Sequence, residues 1–161
     1  MSPSHDGARR RRRLAGEIKD SLRELSNQLS LLNHQVGAQL DLKDVDLDCL
    51  ELITRHGPMS PSALARRAGL HPATMTGVLD RLQRGGWITR ERDPEAADRR
   101  AVTVRALRDR NAEVFHLYSG MNTKMDELLA DYSEADLQLL VDFLQRTTTA
   151  GHTATATLAE A

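Results

Sequence analysis

The sequence predicts a mainly α chain that carries one two-stranded β-ribbon, and three observations predict it. Apolar residues recur at helical steps of three and four over most of the 161 residues. One segment, between Trp87 and Arg105, switches to alternation, the period of a strand. Aromatics supply only 3% of the chain, so the core must come from Leu, Val, Ala and Met, which suits packed helices better than a sandwich of strands.

The elements follow in order. Residues 1–13 contain Pro3, Gly7 and five consecutive arginines, Arg9 to Arg13, with almost nothing apolar to bury, and read as a disordered basic tail. Leu14, Ile18, Leu22, Leu25, Leu29, Leu32, Val36 and Leu40 then mark one face of a helix over residues 14–40. At about 40 Å it is longer than a small core needs, so part of the stripe is expected to pack against another subunit. An acidic loop (Asp41, Asp44, Asp46, Asp48) leads to a short helix with Leu47, Leu50, Leu52 and Ile53, stopped at His56-Gly57-Pro58. Ser60 caps a helix over 61–68, with Pro61 at its first position. Gly69-Leu70-His71 is a turn, and Pro72 opens a helix over 72–85 that buries Met75, Val78, Leu79 and Leu82 and ends at Gly85-Gly86. Strands follow at 87–92 and 101–105, joined by the polar loop 93–100. A long helix runs from about Asp109, its candidate N-cap, to Tyr132, and Ser133 with Asp136 forms a capping box for a last helix. The chain thus divides into a 1–13 tail, a long helix over 14–40, a 41–107 domain of short helices and ribbon, C-terminal helices over 108–147 and a 148–161 flexible tail.

Composition excludes several classes. A net charge of -1 and 28% charged residues belong to an ordinary globular chain. Cys49 is the only cysteine, so no internal disulfide forms. There is no apolar run for a membrane span and no apolar stretch after the N-terminal arginines for a secretory signal, so a cytoplasmic protein with no membrane partner is expected.

Two helices joined by a short glycine-containing turn, followed by a charged ribbon, are the order of a winged helix-turn-helix. The periodicity of 72–85 turns Ala73, Thr74, Thr76, Gly77, Asp80, Arg81 and Arg84 outward. Small residues let the backbone approach base edges, threonines suit bases or phosphates, and Arg81 and Arg84 suit guanine or phosphate. Ser60, Ser62 and His71 sit at helix starts, where capping and phosphate contact coincide. The ribbon's tip carries Arg90, Arg92, Arg99 and Arg100, suited to phosphates or a minor groove. Charge is uneven in the same sense: residues 60–105 carry +4 and residues 111–145 carry -6. Double-stranded DNA is the partner this pattern favours.

Leu79-Asp80-Arg81-Leu82, then Gly85-Gly86-Trp87-Ile88 and Arg90, then Asp98-Arg99-Arg100 and Val102-Thr103-Val104, resemble the MarR (multiple antibiotic resistance regulator) family over residues 14–146. The resemblance implies a homodimer clasped by its terminal helices that binds a near-palindromic site, usually as a repressor, and in many members leaves DNA when a small-molecule effector or an oxidant arrives. It implies that Thr74, Thr76 and Arg81 face the major groove. It further implies that Arg100 enters the minor groove with Asp98 orienting it, and that Asp80 steadies the wing. After the second strand, Leu107-Arg108-Asp109-Arg110-Asn111 departs from the family's usual Leu-Thr and glycine.

Plainer readings stand beside these. Cys49, set between Leu47 and Leu50, reads as a buried inert thiol rather than an oxidant sensor. The six histidines show no metal-ligand spacing, so neither metal nor cofactor is expected. Tyr118, Met121 and Met125 read as core before effector pocket. Arg9 to Arg13 read equally as an arm along a minor groove and as a solvated tail. The chain offers no nucleophile elbow, phosphate loop or catalytic residue, so it is not read as an enzyme. The alternative from another class is a winged-helix scaffold for protein partners, which should expose apolar anchors on 72–85, where this chain has threonines and arginines.

Overall fold

A computed structural model describes residues 3–92, 97–98 and 101–160, with side chains from Asp6 onward. The order is α1 (Pro3–Gln39), α2 (Asp44–His56), α3 (Pro61–Ala68), α4 (Pro72–Arg84), β1 (Ile88–Arg92), β2 (Val102–Ala106), α5 (Arg108–Leu129) and α6 (Glu134–Ala159). Residues 1–117 and 118–161 form two compact units, the boundary falling within α5.

The core of the first unit gathers α2, α3, α4 and the ribbon. Leu50 and Ile53 of α2, Leu64 of α3, and Met75, Val78, Leu79 and Leu82 of α4 close on Trp87, Ile88 and Val104. Four helical positions from α4 repeat at steps of three and four, which is why one face alone meets the core. β1 and β2 pair antiparallel from Ile88↔Ala106 to Arg92↔Val102. Met59, just before α3, adds a bridge to Val104, donating to it at 3.2 Å and accepting from it at 2.8 Å. That bridge fastens the ribbon's root to the helix pair, and no local sequence pattern announces it.

Caps set the helix limits. Ser60 Oγ accepts from the Ala63 N–H at 3.2 Å. Gly69 closes α3 in the left-handed region (φ 65°), and Leu70 N–H returns to the Ala65 carbonyl at 2.9 Å. The Gly85-Gly86 pair has two separate reasons. A Cβ on Gly85 would come within 2.7 Å of the Trp87 ring, and Gly86 holds φ +75°.

Several expectations are corrected. The described part of 1–13 is helical and continuous with α1, not a disordered tail. Alanine and arginine are strong helix formers, and extending a nucleated helix adds one bond per residue fixed. Asp44, Asp46 and Asp48 lie in α2 rather than in a loop, at its N-terminal end where carboxylates suit the helix dipole. α5 begins at Arg108, so Asp109 lies inside the first turn instead of capping it. Residues 148–159, expected as part of a flexible tail, continue α6 to Ala159. Six threonines between Thr147 and Thr157 donate their hydroxyls to carbonyls four residues back, which keeps those hydroxyls from competing with the helix.

The second unit is helical, and Ser133 opens α6 with a reciprocal capping box to Asp136. Among its described residues none is buried, and Leu128, Tyr132, Leu139, Val141, Phe143 and Leu144 are exposed. The Tyr118, Met121 and Met125 stripe, expected as core, is half-buried at Tyr118 and Met121 and exposed at Met125.

Candidate nucleic-acid interface

α4 is the element the whole first core supports. His71 is its N-cap: Nδ1 accepts from the Ala73 N–H at 3.2 Å, so this nitrogen is the unprotonated one while the cap is made. With the apolar face buried, Ala73, Thr74, Thr76 and Arg84 are exposed and Gly77 is half-buried. Thr76 Oγ1 donates to the Pro72 carbonyl at 3.1 Å, which leaves its lone pairs for an outside donor. Ser60 and Ser62, at the start of α3, are exposed and 3.2 Å apart at their hydroxyls.

Arg81 departs from its expected role. Its Nε donates to Asp46 Oδ2 at 2.9 Å and its Nη2 to Asp46 Oδ1 at 2.7 Å, a two-pronged pair. Asp46 is 2% exposed and the Arg81 side chain 35% exposed. A carboxylate that deep needs a charged, geometrically matched donor, and the guanidinium fork supplies it. The hydrogen bond to Asp46 outweighs the opposing effect of burial and raises the Arg81 pKa, so the guanidinium stays charged at any working pH. Arg81, expected to face the major groove, is held here as a brace between α2 and α4. Asp46 was passed over in the sequence, because its partner lies 35 residues away.

Arg90 is likewise committed. Nη2 donates to Asp80, and Nε donates to Gln83 Oε1 at 2.5 Å. Arg90 therefore sits where β1 meets α4, not at the ribbon's tip, and Asp80 ties the ribbon to the helix through it. Arg92 and Arg84 are exposed, as are Arg66 and Arg67 in the last turn of α3. These last two entered the sequence reading only as part of a charge sum, and their exposure adds them to the cationic surface. Asp98 is exposed, and its carbonyl accepts from the Ala101 N–H at 2.9 Å. Arg99 and Arg100 lie outside the described residues.

Two further features border this surface. Cys49 is wholly buried, and burial together with Asp48 and Asp46 pushes its pKa up to about 11. It is a protonated thiol at neutral pH, a poor nucleophile. A cleft of about 590 Å³ is lined by Lys43, Asp46, Arg81, Arg84, Trp87 and Arg110 among others. Arg110 lies 4.3 Å above the Trp87 ring. Among the described residues no three His, Cys, Asp or Glu side chains converge as a metal site, and no helix is long and apolar enough to cross a membrane.

Comparison with known proteins bears on this geometry. A family model described as the MarR family matches residues 42–102. The chain is 31% identical over 116 residues to the HTH-type transcriptional regulator YcgE of Bacillus subtilis, covering 71% of this chain and 74% of that one. It is 29% identical over 130 residues to the HTH-type transcriptional repressor YetL of the same organism, covering 80% and 77%. Among solved structures, a MarR family protein from Bacillus stearothermophilus superposes with a TM-score of 0.67 at 17% identity, covering 88% of this chain and 97% of that one. A crystal structure of MarR gives 0.62 at 22% identity, covering 86% and 93%.

Proposed function

Since the chain belongs to the MarR family of winged helix-turn-helix, DNA-binding transcriptional regulators, we propose that it works as a homodimeric repressor of a near-palindromic operator. The observation that carries the reading is the outer face of α4. Ala73, Thr74, Thr76 and Arg84 are exposed on a helix whose opposite face is locked into the core. Such a helix can enter a major groove about 12 Å wide. Arg66, Arg67 and Arg92 add charge for the phosphates. Arg100 is assigned to the minor groove on the family pattern alone.

Support for the dimer is the set of exposed apolar side chains on α1 (Leu14, Ile18, Leu25), α5 (Leu128) and α6 (Leu139, Leu144), the kind of surface that marks an interaction site. Support for repression is the likeness to YetL, a repressor by name. Release by a small molecule is supported by the cleft that shares Arg81 and Arg84 with α4. Lys43, Arg84 and Arg110 outnumber Asp41 there, the Arg81 charge being met by Asp46, and this net positive charge with the Trp87 ring favours a small anion.

Selection from a random duplex library tests the reading. Enrichment of a palindrome with half-sites about one helical turn apart, and affinity falling steeply with salt, is the expected result. No enrichment at low salt would remove it. Arg100→Ala should weaken operator binding by about 1–3 kcal/mol without unfolding the chain. Truncation before Leu32 should give monomers.

A further inference from the structure

The apolar stripe of α1 gives way at Leu14 to arginine and glycine. Stepping back from Ile18 and Leu14 by three and four reaches Arg11 and Gly7, and Arg10 lies one turn before Leu14. A groove of about 420 Å³ runs there, lined by Gly7, Arg10, Arg11, Leu14, Ala15 and Ile18. Two of the five arginines, Arg10 and Arg11, therefore border this groove together with Leu14 and Ile18. Others are engaged elsewhere: Arg13 pairs with Glu17 at 3.2 Å, and Arg12 Nε donates to the Ala8 carbonyl at 3.4 Å.

The corner between α5 and α6 has the opposite charge and a like apolar content. Leu128 is 58% exposed and Tyr132 49% exposed. Around them Glu127 is paired with Lys124 at 2.6 Å and Asp136 is held in the capping box. Asp126, Asp131 and Glu134 are exposed to solvent.

We propose that the first turns of α1 receive the α5–α6 corner of a second copy of this chain, with Arg10 and Arg11 set against the partner copy's acids at positions 126, 131 and 134. The inference rests on the dimer reading above and adds its ionic latch. A second copy fits better than nucleic acid because the arginines flank an apolar groove continuous with the long stripe. A phosphate backbone would leave the exposed Leu14 and Ile18 uncovered, whereas the exposed Leu128 and Tyr132 offer apolar surface to cover them. In a two-fold dimer the latch forms twice.

The test is a charge exchange, with dimer dissociation followed by sedimentation in the absence of DNA. One variant carries Arg10→Glu and Arg11→Glu, and the other carries Asp126→Arg and Asp131→Arg. Glu134 is left in place because it opens α6. Each variant alone should dimerise about tenfold more weakly than the parent chain, and more salt should narrow the difference. An equal mixture should recover the parent affinity, since both latches of the mixed dimer again join opposite charges. Circular dichroism of each variant checks that the helices persist. Unchanged dimerisation of both variants would overturn the latch. Weakening that mixing does not repair would also overturn it, pointing to pairing within one chain. Loss of DNA affinity by the arginine variant with its dimer intact would assign Arg10 and Arg11 to phosphates instead. A parent chain that stays monomeric at every concentration would remove the dimer reading itself.

Discussion

The winged region and the long helices solve the burial problem in different ways. Between α2 and β2, Leu50, Ile53, Leu64, Met75, Val78, Leu79, Leu82, Trp87 and Val104 are all essentially buried. In α6 no described residue is buried, and Leu139, Phe143 and Leu144 stand open. Composition does not separate the two, since both are rich in leucine. The difference is layering: the first region folds three helices and a ribbon around one centre, whereas the second offers apolar faces that its own segment does not cover. The first region should accordingly unfold as a unit set by its own contacts. The second should owe its stability to association, because burial of apolar surface is the dominant favourable contribution to both processes.

The largest break in that comparison is Trp87→Ala. The ring is buried, packed against Gly85 and capped by Arg110, so its loss should cost about 3–5 kcal/mol in urea unfolding. Phe143→Ala in α6 should cost the isolated monomer less than about 1 kcal/mol, because the side chain is already open to water. Equal losses at the two sites would show that α6 has a core of its own.

The brace between α2 and α4 sharpens the same contrast with charge. Arg81→Ala should destabilise by about 3 kcal/mol, because it strands the Asp46 carboxylate in a nearly closed site. Asp46→Ala should cost less, about 1–2 kcal/mol, since a third of Arg81 already meets solvent. The order of the two losses in thermal unfolding is the check. The reverse order would mean that the carboxylate finds another donor. Both changes should also weaken operator binding, since α4 then loses its tether to α2.

These two residues mark where the sequence stops being legible. Helical steps of three and four located α3 and α4 to within a residue, because caps and prolines are local devices: Ser60 and Pro61, His71 and Pro72, Gly69. Alternation located the ribbon to within a residue. The Asp46–Arg81 pair spans 35 positions, and no periodicity relates them, so Arg81 read as an outward base contact. The helical state of Arg9 to Arg13 was hidden for a different reason. Reading disorder from missing apolar residues ignores that an existing helix extends cheaply through alanine and arginine. Asp80 and Arg90 were each singled out, but only the fold shows that they hold one another.

On the associating side, Leu144→Asp places a charge on a half-exposed leucine of α6. Monomer unfolding should hardly change. Dimer dissociation should rise by about 2 kcal/mol, or roughly 30-fold, as the lost apolar contact and a desolvated charge both act against association. Sedimentation across a dilution series measures it. A stable dimer at parent affinity would move the interface off that face of α6.

The smallest effect lies inside the well-buried region, where α2 turns an acidic edge outward. Burial first, and then Glu51 and Asp44, raise the Asp48 pKa above its ordinary 3.8. A raised carboxyl means that folding takes up protons between 3.8 and the higher folded value, so stability falls as pH rises through that window. Above it the ionised group opposes folding in full. Asp48→Asn should therefore stabilise at neutral pH, and its advantage should shrink as the pH is lowered and vanish below about pH 3. The residue is exposed despite that partial burial, so screening holds the gain below roughly 0.5 kcal/mol, a small rise in melting temperature. A gain that persisted unchanged into acid would come from helix propensity rather than charge. A loss at neutral pH would mean that the carboxylate serves the α2 N-terminus more than it suffers from its acidic neighbours.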